Sequence, residues 1–173
     1  MAADPFDILG LDPAFDIDAA ALQRAYLERS AALHPDHAGE DSGAEAAALN
    51  EAKRTLEDPE RRAEALLRRL GGPARDQDRS LPPGFLQEIM TLREQIEEEV
   101  ASGDPAKIDH WERWARERRR GHIAEVARLF REYLAAGGKG DPALLAAVRR
   151  ELNVWRYTER LLEQIDPERS VGL

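Results

Sequence analysis

The chain has no cysteine. Disulfides, thiolate zinc sites and an iron–sulfur cluster held directly by cysteine are therefore excluded. Aromatic residues make up only 6% of it, so any core is built from Leu, Ala, Ile and Val. β-Branched residues are sparse, while Ala, Leu, Glu and Arg dominate, and these lose little side-chain freedom in a helix. No apolar run approaches the roughly 20 residues that cross a bilayer. Positive charge is also short: Lys and Arg number 25 against 34 Asp and Glu, a net charge of −9. A surface of that sign repels phosphate backbones and argues against general nucleic-acid binding. The opening Met-Ala-Ala-Asp-Pro has neither the basic nor the apolar part of a signal peptide, so a cytoplasmic location is expected.

The 173 residues predict an all-α chain. Asp-Pro recurs at 4–5, 58–59, 104–105 and 141–142. Asp accepts from free backbone N–H groups and Pro needs no partner in a first turn, so each pair marks a helix start. Glycines at 71–72, 103 and 137–138 mark stops. The expected helices cover about 5–9, 18–33, 44–57, 59–70, 83–101, 105–136 and 142–165. The polar, breaker-rich stretch 73–82 reads as a linker between residues 1–72 and 83–173.

Leu22, Tyr26 and Leu33 share a face of the second helix, and Leu49, Ala52 and Leu56 share a face of the third. Two such helices joined by a polar loop pack as an antiparallel hairpin, which Ala63, Leu66 and Leu67 extend. The loop begins His34-Pro35-Asp36. Pro35 ends the helix and restricts the turn, so an imidazole and a carboxylate stand together at an exposed tip, ready to bond a partner at little entropic cost. His34, Asp36 and His37 are isolated loop residues with no further ligand converging on them, so neither metal binding nor acid–base catalysis is expected of them. His110 and His122 stand in no motif, and no enzyme activity or cofactor is expected.

In order and spacing, Pro5-Phe6-Asp7-Ile8-Leu9-Gly10-Leu11, Leu22-x3-Tyr26, Leu33-His34-Pro35-Asp36 and Leu49-Asn50-Glu51-Ala52-x3-Leu56-x2-Pro59 resemble the J domain of DnaJ-type co-chaperones over residues 4–70. The resemblance implies that His34, Pro35 and Asp36 engage a DnaK-class chaperone and stimulate its ATP hydrolysis. It also implies that basic residues of the second helix, here Arg24 and Arg29, face an acidic surface of that chaperone.

After the linker, Phe85, Ile89, Leu92, Ile96 and Val100 form one stripe at 3.6 residues per turn. A second face carries Leu86, Gln87, Met90, Thr91, Glu94, Glu97 and Glu98. Two readings stand: a broad buried face in a three-helix bundle, or a docking surface of apolar anchors beside carboxylates. The sixth helix places Ile108, Trp111, Ala115, Ile123, Val126, Leu129, Phe130 and Tyr133 near one face. Its Arg113–Arg120 run reads as a solvated face answering nearby Glu residues. On the last helix Leu145, Val148, Leu152, Trp155 and Leu162 make the expected core stripe, with Val154, Tyr157 and Leu161 away from it.

A J domain without a Gly/Phe-rich linker or zinc domain, followed by three helices, looks like the HscB family of iron–sulfur cluster co-chaperones. Asp58-Pro59-x2-Arg62-Ala63-Glu64-x-Leu66-Leu67 and Phe85-Leu86-x-Glu88-x-Met90-x-Leu92-Arg93-Glu94 are similar to that family's signatures. The resemblance implies an HscA-class chaperone and an iron–sulfur cluster scaffold protein as partners. It places scaffold contacts on Leu86, Gln87, Met90, Thr91, Glu94, Glu98 and Tyr157. The alternatives are a J-domain co-chaperone for an unrelated client and a helical adaptor with an inert tripeptide.

Overall fold

The computed structural model describes residues 3–33, 42–137 and 140–165. Among these residues the chain forms seven helices: α1 (Pro5–Leu9), α2 (Ala19–Ala32), α3 (Ser42–Glu57), α4 (Pro59–Arg69), α5 (Phe85–Ala101), α6 (Pro105–Ala135) and α7 (Pro142–Ile165). Each lies within two residues of its expected limits. All four Asp-Pro pairs start helices. Asp4 accepts from Phe6 N at 2.9 Å, Asp58 from Arg61 N at 2.8 Å, Asp104 from Ala106 N at 2.9 Å and Asp141 from Ala143 N at 2.8 Å. Gly103 and Gly137 end α5 and α6 with φ of 68° and 67°, a backbone region that costs a side-chain-bearing residue but not glycine.

α2 and α3 form the expected hairpin. The Tyr26 hydroxyl donates to Asn50 Oδ1 at 2.8 Å, and the Lys53 ammonium sits 4.6 Å from the Tyr26 ring centre. Leu22, Leu49, Ala52 and Leu56 are buried between them together with Phe6 and Leu9 of α1. Phe15, in the α1–α2 connection, is also buried, and its ring centre lies 5.8 Å from that of Phe130 on α6.

The hydrophobic interior does not stop at the linker. Ala63, Leu66 and Leu67 of α4 join one cluster with Val126, Phe130 and Tyr133 of α6 and Leu145, Val148, Leu152 and Trp155 of α7. A second, smaller cluster lies at the far end of the bundle, where Ile96 of α5 meets Trp111 and Ala115 of α6 and Leu161 and Ile165 of α7. Leu161 is thus a correction: expected away from the core stripe, it is 3% exposed. The cause is a change of partner along α7. At about 1.5 Å per residue its 24 residues run some 36 Å. Its first half faces α4 and α6; its last turns face α5 and the start of α6, and a different side is buried there. The Leu162 side chain lies outside the described residues.

The 73–82 segment is tied down by polar contacts. Arg149 Nε donates to the Pro73 carbonyl at 3.0 Å, and Asn153 Nδ2 donates to the carbonyls of Asp78 and Ser80, both at 3.1 Å. Asp78 accepts from Ser80 N at 2.8 Å, and these Ser80 hydrogen bonds hold its carboxyl below the usual range. Both sides of the chain are therefore fixed against each other through α7.

Candidate functional site

His34, Pro35 and Asp36 lie outside the described residues; the helices that flank them are described. Arg24, Leu27, Glu28 and Ala31 follow the i, i+3, i+4, i+7 spacing that lines one side of a helix, and all four are exposed. Leu27, 54% exposed, went unnoticed in the sequence, although its position off the Leu22/Tyr26/Leu33 stripe was a signal. Arg29 is also exposed. Its guanidinium folds back over Gly10 at the end of α1, so closely that a Cβ at residue 10 would collide with it. Arg24 is therefore the freer of the two expected basic contacts.

The second candidate surface is α5. Leu86 is 50% and Met90 63% exposed, so they are not part of a broad buried face. Gln87, Thr91, Glu94 and Glu98 are exposed as well, and the seven expected contacts fall on one ridge and its flank. Leu86, Ile89 and Met90 form one wall of a groove of about 390 Å³; Tyr157 and Leu161 of α7 form the other, with Arg93 and Arg160 at the rim. Tyr157 is half-buried and meets Phe85 edge-on with ring centres 5.5 Å apart, an arrangement that aromatic quadrupoles favour. A groove of about 560 Å³ flanks the other side of the ridge, lined by Gln87, Thr91 and Leu92 with Trp114 and Arg118 of α6. The ridge offers two flexible apolar anchors, an aromatic wall and, one and two turns along, a pair of carboxylates.

Known proteins resemble this chain over both of its halves. Residues 4–65 match the DnaJ domain family and residues 81–166 the HSCB C-terminal oligomerisation domain family. A Co-chaperone protein HscB homolog of Bordetella petrii is 33% identical, covering 99% of this chain and all of the relative. The chain belongs to the HscB co-chaperone family. A further HscB homolog, from Ralstonia nicotianae, is 31% identical over 93% of both chains. Among solved structures, the chaperone HscB from Vibrio cholerae is similar over 99% of this chain and all of that one, with a TM-score of 0.73 at 27% identity. Human co-chaperone HscB shares the fold, with a TM-score of 0.73 at 22% identity, over 96% of this chain and 82% of the human one. This chain joins a J domain to a helical C-terminal unit, and only residues 66–80 lie between the two family matches.

Two further side-chain groups carry candidate chemistry. His122 lies buried between Glu151 Oε1, 2.6 Å from Nδ1, and Thr158 Oγ1, 2.9 Å from Nε2. Both ring nitrogens therefore have a hydrogen-bond partner. The order hydroxyl–imidazole–carboxylate is that of a nucleophile triad. Thr158 is only 4% exposed and the imidazole stacks on buried Trp155 at 6.2 Å, so no substrate reaches the hydroxyl. The chain of bonds ties α6 to α7. The Arg113–Arg120 run is largely paired, as expected. Arg113 meets Asp109 at 3.1 Å, Arg118 meets Glu88 at 3.7 Å, Arg119 meets Glu159 at 3.1 Å, and Arg116 pairs with Glu112. Among the described residues no group of three His, Cys, Asp or Glu is placed to hold a metal ion, and no helix is long and apolar enough to cross a membrane.

Proposed function

We propose that this chain couples an iron–sulfur cluster scaffold protein to ATP hydrolysis by a DnaK/HscA-class chaperone. In this reading His34, Pro35 and Asp36 engage the chaperone, with Arg24 and, less directly, Arg29 facing its acidic surface. Leu86, Gln87, Met90, Thr91, Glu94, Glu98 and Tyr157 hold the scaffold. The cluster stays on the scaffold, so a chain without cysteine or a cofactor of its own suffices, and the work takes place in the cytoplasm. The protein binds and positions; it performs no bond chemistry itself.

One observation carries the scaffold half of this reading: on a chain of the HscB family, Leu86 and Met90 stand exposed beside a tyrosine-walled groove and an acidic ridge. Apolar anchors contribute affinity when a partner desolvates them, about 1–2 kcal/mol each. The neighbouring carboxylates steer a basic surface of the partner and make association salt-sensitive. The test is titration of the scaffold into Leu86→Ala/Met90→Ala, beside a urea melt. Binding should weaken about tenfold or more with the melt midpoint nearly unchanged, two exposed side chains contributing little to folding. Wild-type affinity in that double variant would remove the scaffold from this face.

A further inference from the structure

A third groove opens along α7. It has a volume of about 540 Å³ and lies between the 75–81 segment and α7, lined by Arg75, Arg79, Arg156 and Arg160 with Leu81, Asn153, Tyr157 and a single acid, Asp76. Four guanidinium groups around one carboxylate stand out on a chain whose net charge is −9. Arg75 and Arg79 are exposed. Arg79 and Arg160 form no ion pair among the described residues. Arg160 rests over the Tyr157 ring, 5.9 Å from its centre. Arg156 is already committed: its Nε and Nη2 reach Glu60 Oε1 at 3.3 and 3.2 Å, Nη2 lies 3.8 Å from Glu64 Oε1, and its Nη1 is buried, so among the described residues Arg75, Arg79 and Arg160 are the groove's free guanidinium groups.

The segment that carries Arg75 and Arg79 is held in place by the Pro73, Asp78 and Ser80 carbonyl bonds to Arg149 and Asn153. The backbone that carries the two arginines is thus held in place, and a partner orders only their side chains on binding. Guanidinium presents a planar fork of donors that matches a carboxylate at two points. The groove is also continuous with the α5 surface, since Tyr157 and Arg160 line both this groove and the Leu86/Met90 groove. One extended segment crossing α7 at Tyr157 would touch the apolar anchors on one side and the arginines on the other.

We propose that this groove binds an acidic segment of the same scaffold protein that α5 holds; the inference rests on the function proposed above. The docking surface then carries charges of both signs, carboxylates at 94 and 98 farther along α5 and arginines on the 75–81 segment and α7. A partner with the complementary arrangement can seat in only one orientation, because reversal sets like charges against each other.

The experiment titrates the scaffold into full-length wild type, Arg75→Gln/Arg79→Gln and Leu86→Ala/Met90→Ala, at about 0.05 M and about 0.5 M salt, which bracket strong and weak screening. Arg75 and Arg79 lie outside the apolar groove, so the two doubles report on separate walls. Arg75→Gln/Arg79→Gln should raise Kd about tenfold at low salt and little at high salt, flattening the salt dependence. Leu86→Ala/Met90→Ala should raise it at both. If the arginine double keeps the wild-type Kd and salt slope while the apolar double is weakened, the inference fails and the function stands. If the apolar double is not weakened, the scaffold reading itself fails. Tripolyphosphate is the second probe. Should it bind wild type but not the arginine double while scaffold affinity is equal in both, the groove takes a free anion and the proposal is overturned.

Discussion

Arg149 of α7 and Glu64 of α4 form a two-point ion pair that joins the C-terminal helices to the J domain: Arg149 Nη1 donates to Glu64 Oε1 at 2.7 Å and Nη2 to the other carboxylate oxygen. The guanidinium side chain is 2% exposed and the carboxylate 31%. With its Nε on the Pro73 carbonyl, one arginine fixes α4, the linker and α7 at once. Removing a partner from a buried pair costs about 3–5 kcal/mol, because the remaining charge stays desolvated. Glu64→Ala strands the deeply buried member, Arg149, and should lower stability by about 3 kcal/mol. Arg149→Ala leaves the charge on the partly solvated Glu64. Urea melts of the two variants should show the larger loss for Glu64→Ala.

The shared interior predicts that the two family domains unfold together. A fragment ending near Pro73 carries the hairpin and its loop, and the composition break at 73–82 suggests that it folds alone. The structure adds that α4 and Phe15 bury apolar surface against α6 and α7, which such a fragment would expose. All three tryptophans lie in α6 and α7, at 111, 114 and 155, so fluorescence follows only the C-terminal helices. Leu56→Ala, deep in the J domain, should cost about 2–5 kcal/mol as large-to-small core changes do. The fluorescence midpoint should fall with the circular-dichroism midpoint. A fluorescence transition left at its wild-type position would show that the halves melt separately.

What the sequence revealed and what it hid divide along a physical line. Helix limits were legible because Asp-Pro starts and Gly stops act through bonds within three residues, and all four Asp caps are made. The exposure of Leu86 and Met90 was half-legible: two apolar residues in excess of a complete stripe are either core or interface, and only packing decides. Leu161 was misjudged because periodicity assumes one neighbour per helix, Phe15 was missed because it lies between helices, and Leu27 was missed although it stands off the buried stripe. Buried Arg149 and His122 were invisible as well. Each is satisfied by groups at least 29 residues away apart from its own helix, and no local pattern announces such partners.

Acidification should act on the α4–α7 contact through Glu60. Its carboxyl is raised above the usual range chiefly by burial, with Arg156 opposing the shift. A raised folded-state value means that the folded protein holds the proton more tightly than the unfolded chain. The stabilisation is fully present below the unfolded value near 4.5 and is lost as pH rises through the folded value. Urea melts of wild type and Glu60→Gln at neutral pH and just below the unfolded carboxyl value should therefore differ. Wild type should gain stability relative to the variant on acidification. A difference that does not change with pH, or that runs the other way, would show that Glu60 is not the titrating group.

The J-domain mechanism itself rests on the tip of the hairpin. Asp36→Asn removes one charge and keeps the side chain's size, so the fold is left alone while the proposed contact loses its strongest component. Hydrogen bonds to charged groups contribute about 1.5–3 kcal/mol, a tenfold or larger effect on an equilibrium. Stimulation of ATP hydrolysis in the cognate DnaK/HscA-class chaperone should drop by at least that factor in single-turnover assays, with circular dichroism and urea midpoint unchanged. The Leu86→Ala/Met90→Ala variant supplies the contrast: without scaffold it should stimulate as wild type does, and only the further increase caused by adding scaffold should be lost. Leu27→Ala tests the neighbouring α2 surface, where an exposed leucine beside Arg24 offers the chaperone an apolar contact next to a charged one. A modest rise in the concentration needed for half-stimulation, without loss of the maximum, is expected there. Full stimulation by Asp36→Asn at wild-type concentrations would mean that the tripeptide is an inert turn and the chain a helical adaptor.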